Sequence, residues 1–174
     1  MKKKTLWITQ TAVLTALLIV LQATTSAAGQ LVTGSCVNAV LAVAALFGGL
    51  SCGLTVAIIS PFCAFLLGVG PQLIAIVPAI ALGNCVYVAL LALQTKKDSS
   101  LVRSIVAWLV ASVAKFGTLY LVVVQILCRV LELKEQQIAT FSTMFSFPQL
   151  FTALIGGAVA LLIVPVLKKA LKKS

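Results

Sequence analysis

Behind three lysines, Lys2 to Lys4, the chain runs from Leu6 to Ala27 without one charged residue. As a helix rising 1.5 Å per residue, such a run reaches about 33 Å, enough to cross a bilayer's hydrocarbon. The lysines hold their end of that helix on the cytoplasmic side. Inside the run, Ala12 and Ala16 share one helical face, with Thr9 roughly a turn before them. Small residues four apart let another helix approach closely, and close packing counts for more in lipid, where helix association gets little hydrophobic help. The opening stretch therefore predicts a membrane helix, a cytoplasmic N-terminus and a face on which another helix docks. Lysines, an apolar run and Thr25-Ser26-Ala27-Ala28-Gly29 also make up the pattern of a secretory signal. The run is longer than the roughly 7–15 apolar residues of such a signal, and we read it as the first transmembrane helix.

Apolar runs recur along the chain. Of 174 residues, 61% are hydrophobic and 9% charged, against about 25% charged in a soluble domain. That gap places the chain among integral membrane proteins. Barrel strands would alternate polar and apolar residues over about ten positions, so these longer runs mean helices. Six transmembrane helices are expected in one membrane domain, 1–174, with spans at about 6–27, 35–47, 54–67, 73–93, 101–127 and 149–167. Gly29 to Gly34 reads as the first connection, and glycine-rich turns at 48–53 and 68–72 separate the next spans. Pro61 is expected to kink the third span, because its ring removes a backbone donor; Pro78 falls in the first half of the fourth. Aqueous loops are expected at 94–100 and 129–137, the second partly helical and lying at the interface.

Charge placement supports six spans. Lys2 to Lys4, Lys96, Lys97, Arg103, Lys168, Lys169, Lys172 and Lys173 all fall on the side of the N-terminus. Arg129 and Lys134, beside Glu132 and Glu135, fall on the other. This is a strong positive-inside bias, and it puts both termini in the cytoplasm. The same placement explains the net charge of +10: it marks topology and attracts anionic lipid. No basic face with interleaved aromatics exists to bind nucleic acid.

Catalytic signals are missing. The chain has no histidine, no carboxylate within a span, no nucleophile beside a base and no nucleotide-binding loop. Its five cysteines stand singly and read as small packing residues. We expect no enzyme activity, no catalytic residue, no metal and no cofactor, and no ATP site of the chain's own.

Lys115 stands out. It lies about fourteen residues, or ~21 Å, from the inner end of its span, too far to snorkel comfortably to an interface. A lysine at a span's centre costs roughly 2.5–3.5 kcal/mol on insertion scales and by default marks a functional site. No acidic residue lies in any span to pair with it, so a ligand carboxylate or other anion is a natural partner. Asn84 sits mid-span, Asn38 in the second span, Gln72 at the start of the fourth, and Gln149 and Thr152 at the start of the sixth. Under the expected topology these polar groups belong to the outer half or the middle, and Lys115 sits at the same depth or just below them. They either line a pocket open to the outside or glue helices together by hydrogen bonds of ~0.6–2 kcal/mol a pair. Gln30 is a candidate gate. Phe141, Phe145, Phe147 and Phe151 make either an interfacial belt or the apolar wall of the pocket.

These features resemble a known family. A six-helix chain of this length, Ala12 and Ala16 on the first helix, Ser60-Pro61-Phe62 through Gly68-Val69-Gly70-Pro71, Val77-Pro78, Gly83-Asn84, Phe147-Pro148-Gln149-Leu150 and closing Lys168-Lys169 look like the substrate-binding S component of energy-coupling factor (ECF) vitamin transporters. The resemblance covers the whole chain. It implies a multi-pass protein of a prokaryotic cell membrane that captures a vitamin from outside. It implies docking through Ala12 and Ala16 on a T component bound to two ATPase subunits, and toppling in the membrane to release the vitamin inside. Ligand residues differ between vitamins in this family, so the resemblance assigns none here. Lys115 points to an anionic ligand such as pantothenate, nicotinate, lipoate or a folate-like molecule, and the modest aromatic content of 7% argues against a large flat flavin. The rival readings are a stand-alone channel or facilitator for small solutes and a structural membrane protein. A channel would show polar residues along its whole depth; a structural protein would have little use for Lys115.

Overall fold

In the computed structural model the described residues are 2–94 and 100–172, and among them there is no strand. The expected loop at 94–100 falls largely outside the described residues, as do its Lys96 and Lys97, and so does Lys173. The helices are α1 (Lys2–Thr25), α2 (Gln30–Val43, continued by a π-helical turn, Ala44–Gly48), α3 (Leu50–Leu66), α4 (Val77–Leu93), α5 (Leu101–Leu119, continued by a π-helical stretch, Tyr120–Leu127, and a last turn, Cys128–Val130), α6 (Glu135–Met144) and α7 (Phe147–Lys172). Among the described residues, five helical stretches are long and apolar enough to cross a membrane: Lys4–Ala28, Gln30–Gly48, Ile74–Leu93, Leu101–Val130 and Glu135–Leu171. Leu50–Leu66 is a shorter apolar helix.

Local chemistry explains these boundaries. Helices in hydrocarbon satisfy every backbone group internally, and side-chain hydroxyls do the same: Thr11 donates to the Trp7 carbonyl at 2.8 Å and Thr15 to that of Thr11 at 2.7 Å. Ser100 caps α5, its hydroxyl accepting from the Arg103 amide. Gly49, at φ 85°, makes the corner between α2 and α3 alone, in a region of backbone space that side chains disfavour.

Two connections are therefore shorter than expected. Residues 30–34 belong to α2, because Gly29 (φ 88°) completes the turn before them. Gly53 lies inside α3, where a Cβ would come 3.2 Å from the Ala45 backbone. Pro78 falls in the first half of the Ile74–Leu93 stretch, as expected, and sits in the first turn of α4, where its missing N–H has no helical partner to lose. The expected loop at 129–137 gives way at Glu135 to a separate helix, α6.

In the bundle α2 packs along α7, α4 bridges α3 and α5, and α5 also meets α7. Alpha-1 packs on α2 and α3 at the bundle's edge. The main core joins Leu41, Val56, Tyr87, Val88, Leu91 and Ala111, all fully buried. A second cluster at the other end joins Ile76, Leu119 and Val123 to Phe141 and Phe145, and so seats α6 across the ends of α4 and α5. Glycines set the close approaches. A Cβ on Gly156 of α7 would lie 2.6 Å from the Ala39 backbone nitrogen and from the Ser35 carbonyl oxygen of α2. Backbone has nowhere to go at that distance, and overpacking of this kind costs about 1–3 kcal/mol or more. Gly156→Val is expected to lower the thermal unfolding midpoint of the detergent-solubilised protein. Gly117→Ala, where a Cβ meets nothing within 4 Å, is not; equal midpoints for the two variants would contradict this packing.

Candidate substrate cavity around Lys115

The buried face of α5 carries Ala111, Ser112, Lys115 and Leu119, positions that fall on one side of a 3.6-residue helix. Lys115 thus points into the bundle by the same periodicity that sends Val106, Val110 and Val113 outward. It is 3% exposed. Its Nζ donates to Asn38 Oδ1 at 2.5 Å and to Asn84 Oδ1 at 2.6 Å, and lies 5.4 Å from the centre of the Tyr87 ring. Tyr87 stands one turn after Asn84 on α4, so both share a face, and its hydroxyl donates to the Ala153 carbonyl of α7 at 3.1 Å. Asn38 Nδ2 donates to Thr152 Oγ1 at 3.1 Å. One ammonium group therefore links α2, α4 and α5 directly and reaches α7 through Asn38 and Tyr87.

Every acceptor on this ammonium is neutral. The two described carboxylates, Glu132 and Glu135, are exposed beyond the end of α5. Hydrogen bonds to an ionised donor are about twice as strong as neutral ones, and ring and amide dipoles add to them. None of these partners carries a compensating charge. Of three ammonium hydrogens, two are engaged by the amides.

Lys115 also borders a cavity of about 360 Å³, within the size range of small-molecule sites. Its walls come from the end of α1, the start of α2, the end of α3, the start of α4 and the start of α7. These ends lie together, away from Lys4, Lys168 and Lys169. The rim includes Ser26, Gly29, Gly68 and Gly70, all exposed, so the cavity opens at that end. Toward the basic end, Leu41, Val88, Leu91 and Ala111 are fully buried, and none of them lines the cavity.

The structure brings most of the residues singled out in the sequence to this place. Lys115, Asn84, Asn38, Gln149 and Gln30 line the cavity. Gln30 and Gln149 both donate to the Met144 carbonyl, at 2.6 and 3.3 Å, and so tie the corner between α6 and α7 to α2. Thr152 stands behind Asn38, buried, and not on the cavity surface. Gln72 does not join them: it is exposed, and its amide turns back on the Gly70 carbonyl at 3.3 Å. The four phenylalanines divide. Phe145 lines the cavity, Phe141 packs in the cluster beneath α6, Phe147 stacks on Phe116 with ring centres 5.9 Å apart, and Phe147 and Phe151 are otherwise exposed.

The sequence does not single out Gln22 or Tyr87, and it shows the glycine turn 68–71 without placing it at the cavity. Gln22 was detectable as a large polar residue in the cavity-side half of an uncharged span. The role of Tyr87 follows from its three-residue spacing to Asn84, but only once Asn84 is placed.

Over residues 7–168 the chain matches the family model described as ECF transporter, substrate-specific component. No curated protein and no solved structure matches it. The family is one of transporter subunits and not of enzymes. Together with the apolar helices, the match makes this a multi-pass protein of membrane transport: the chain belongs to the substrate-specific components of ECF transporters.

Proposed function

We propose that this chain captures a vitamin or related micronutrient in the cavity at Lys115 from the outer side of a prokaryotic cell membrane, and delivers it by docking on a T component that carries two ATPases. The observation that carries the proposal is a buried ammonium with neutral partners facing a cavity of ligand size. An anionic ligand would supply the missing charge. Six crossings, by α1 to α5 and α7, accord with the helix lengths: α3 and α4 have 17 residues each, at the lower bound of about 17–25 for a span. Six crossings with the basic end inside leave the cavity mouth outside. The packed core below Lys115 favours a blind pocket over a channel.

The docking face is α1. Ala12 and Ala16 are exposed and line a shallow groove with Trp7, Ile8, Ile19 and Ile59. A partner helix can approach such a groove closely.

Two measurements test this reading. Native mass spectrometry of the purified chain is expected to show a bound small molecule that Lys115→Met loses. Loss of a charge-assisted hydrogen bond makes binding roughly 10–100-fold weaker; ligand retained at full affinity by the variant would remove Lys115 from the site. Ala12→Leu combined with Ala16→Leu is expected to cut co-purification with the T component and ATPases by about tenfold or more while ligand binding persists. Undiminished assembly would move the docking face elsewhere.

A further inference from the structure

Gln22 is the part of the cavity that Lys115 does not account for. It is 7% exposed, it lines the cavity, and its Oε1 has no hydrogen-bond partner. A buried amide oxygen has given up hydration and, without a donor, has nothing in return. Alpha-1, which carries Gln22, packs on α2 and α3, whereas α5, which carries Lys115, packs on α4 and α7. The two residues therefore approach the cavity from different sides. Beside its polar groups, the cavity lining includes Val37, Pro61, Phe65, Ile80 and Phe145, which are apolar. The lining thus holds a cationic donor with a hydrogen to spare, a glutamine whose buried oxygen lacks a donor and can meet one by a small turn of its side chain, and apolar side chains that suit a carbon skeleton.

We infer that the ligand is a compact monoanionic acid carrying a hydroxyl or N–H group at the end remote from its charge, the acid held by Lys115 and the remote donor by Gln22 Oε1. This rests on the binding-subunit reading and sharpens it. A volume of about 360 Å³ lies near the low end of the roughly 300–1,000 Å³ of ligand sites, which suits a small acid. Among acidic vitamins, pantothenate and biotin combine the carboxylate with a distant donor. Lipoate and nicotinate carry the carboxylate without it, and pantothenol keeps the hydroxyls without the charge.

The test is equilibrium dialysis of the detergent-purified full chain against each of these five probes, for the wild type, Lys115→Met and Gln22→Leu. Pantothenate or biotin is expected to bind at least about tenfold tighter than lipoate, nicotinate and pantothenol. Lys115→Met removes the advantage over pantothenol. Gln22→Leu weakens the preferred probe by about tenfold, the loss of one buried hydrogen bond, and narrows its lead over lipoate. Thermal melting checks folding, and Gln22→Met replaces Gln22→Leu if the latter fails to fold. The inference is overturned if lipoate, nicotinate or pantothenol binds best, if no probe binds at millimolar concentration, or if a folded Gln22 variant binds as the wild type does. Assembly with the T component and ATPases is measured in parallel: a chain that assembles yet ignores all five probes loses this inference alone, whereas one that neither assembles nor binds loses the subunit reading with it.

Discussion

An ammonium group among helices in hydrocarbon must find acceptors for its hydrogens, because lipid offers none. In this chain the acceptors come from two other helices. Asn38 on α2 and Asn84 on α4 each give a side-chain oxygen to Lys115, and each amide is positioned by what surrounds it: Asn38 by Thr152, Asn84 by the helical turn that also aims Tyr87. The arrangement is a structural tie as well as a candidate binding site. Truncating any member leaves the others with unmet hydrogen-bonding capacity in a dry place. A ligand that engages the third hydrogen would add binding energy to the folded state alone, and so raise stability in proportion to its occupancy.

The cavity exists because the bundle is tight at one level and open at another. Gly156 brings α7 against α2, Gly53 brings α3 against the end of α2, and Gly83 receives the Leu119 side chain of α5. These contacts leave no room for a Cβ. Toward the mouth, the chain is turned by glycines at positive φ, Gly29, Gly68 and Gly70, and a Cβ at any of them would meet nothing within 4 Å. The same residue type thus serves contact within helices and curvature between them, as at Gly49 in the opposite corner. Hydropathy does not separate these uses, which is why Gly34 and Gly53 read as turn residues and turned out to lie within helices.

Much of the fold was legible because lipid imposes a coarse rule: long uncharged runs become helices. The rule gave the apolar helices to within a few residues but not α6, whose ten residues include Glu135, Gln136 and Gln137 and whose place is set by the burial of Phe141. For the candidate site, Lys115, Asn38 and Asn84 stand out in the sequence because polar groups are expensive at that depth, and all three line the cavity. Gln72 misled for a related reason. A glutamine beside a proline at a span's edge is polar where polarity is cheap, so its presence says little about a pocket. Gln22 does not stand out in the sequence, because it shares its helix with several threonines, whose hydroxyls bond within α1. A glutamine at that depth has no such local outlet, and this difference in side-chain reach separates it from them.

On the reading proposed here, α1 carries two roles on one rod. It has no proline or glycine between Lys2 and Thr25, so it lacks the usual sites of a kink. Ala12 and Ala16 are exposed on it, whereas Gln22 lines the cavity, about 9 to 15 Å further along at 1.5 Å per residue and roughly a quarter to a third of a turn round. On the reading proposed here, a partner that grips the alanine face and tilts α1 also moves one wall of the cavity relative to Lys115. Ligand that spans the two walls would be strained or released by that movement, and its affinity would depend on whether the partner is bound. Linkage makes the dependence reciprocal: ligand that holds Gln22 near Lys115 biases the pose in which the alanine face meets its partner. A loop between the two residues would absorb such a displacement; an unbroken helix transmits it.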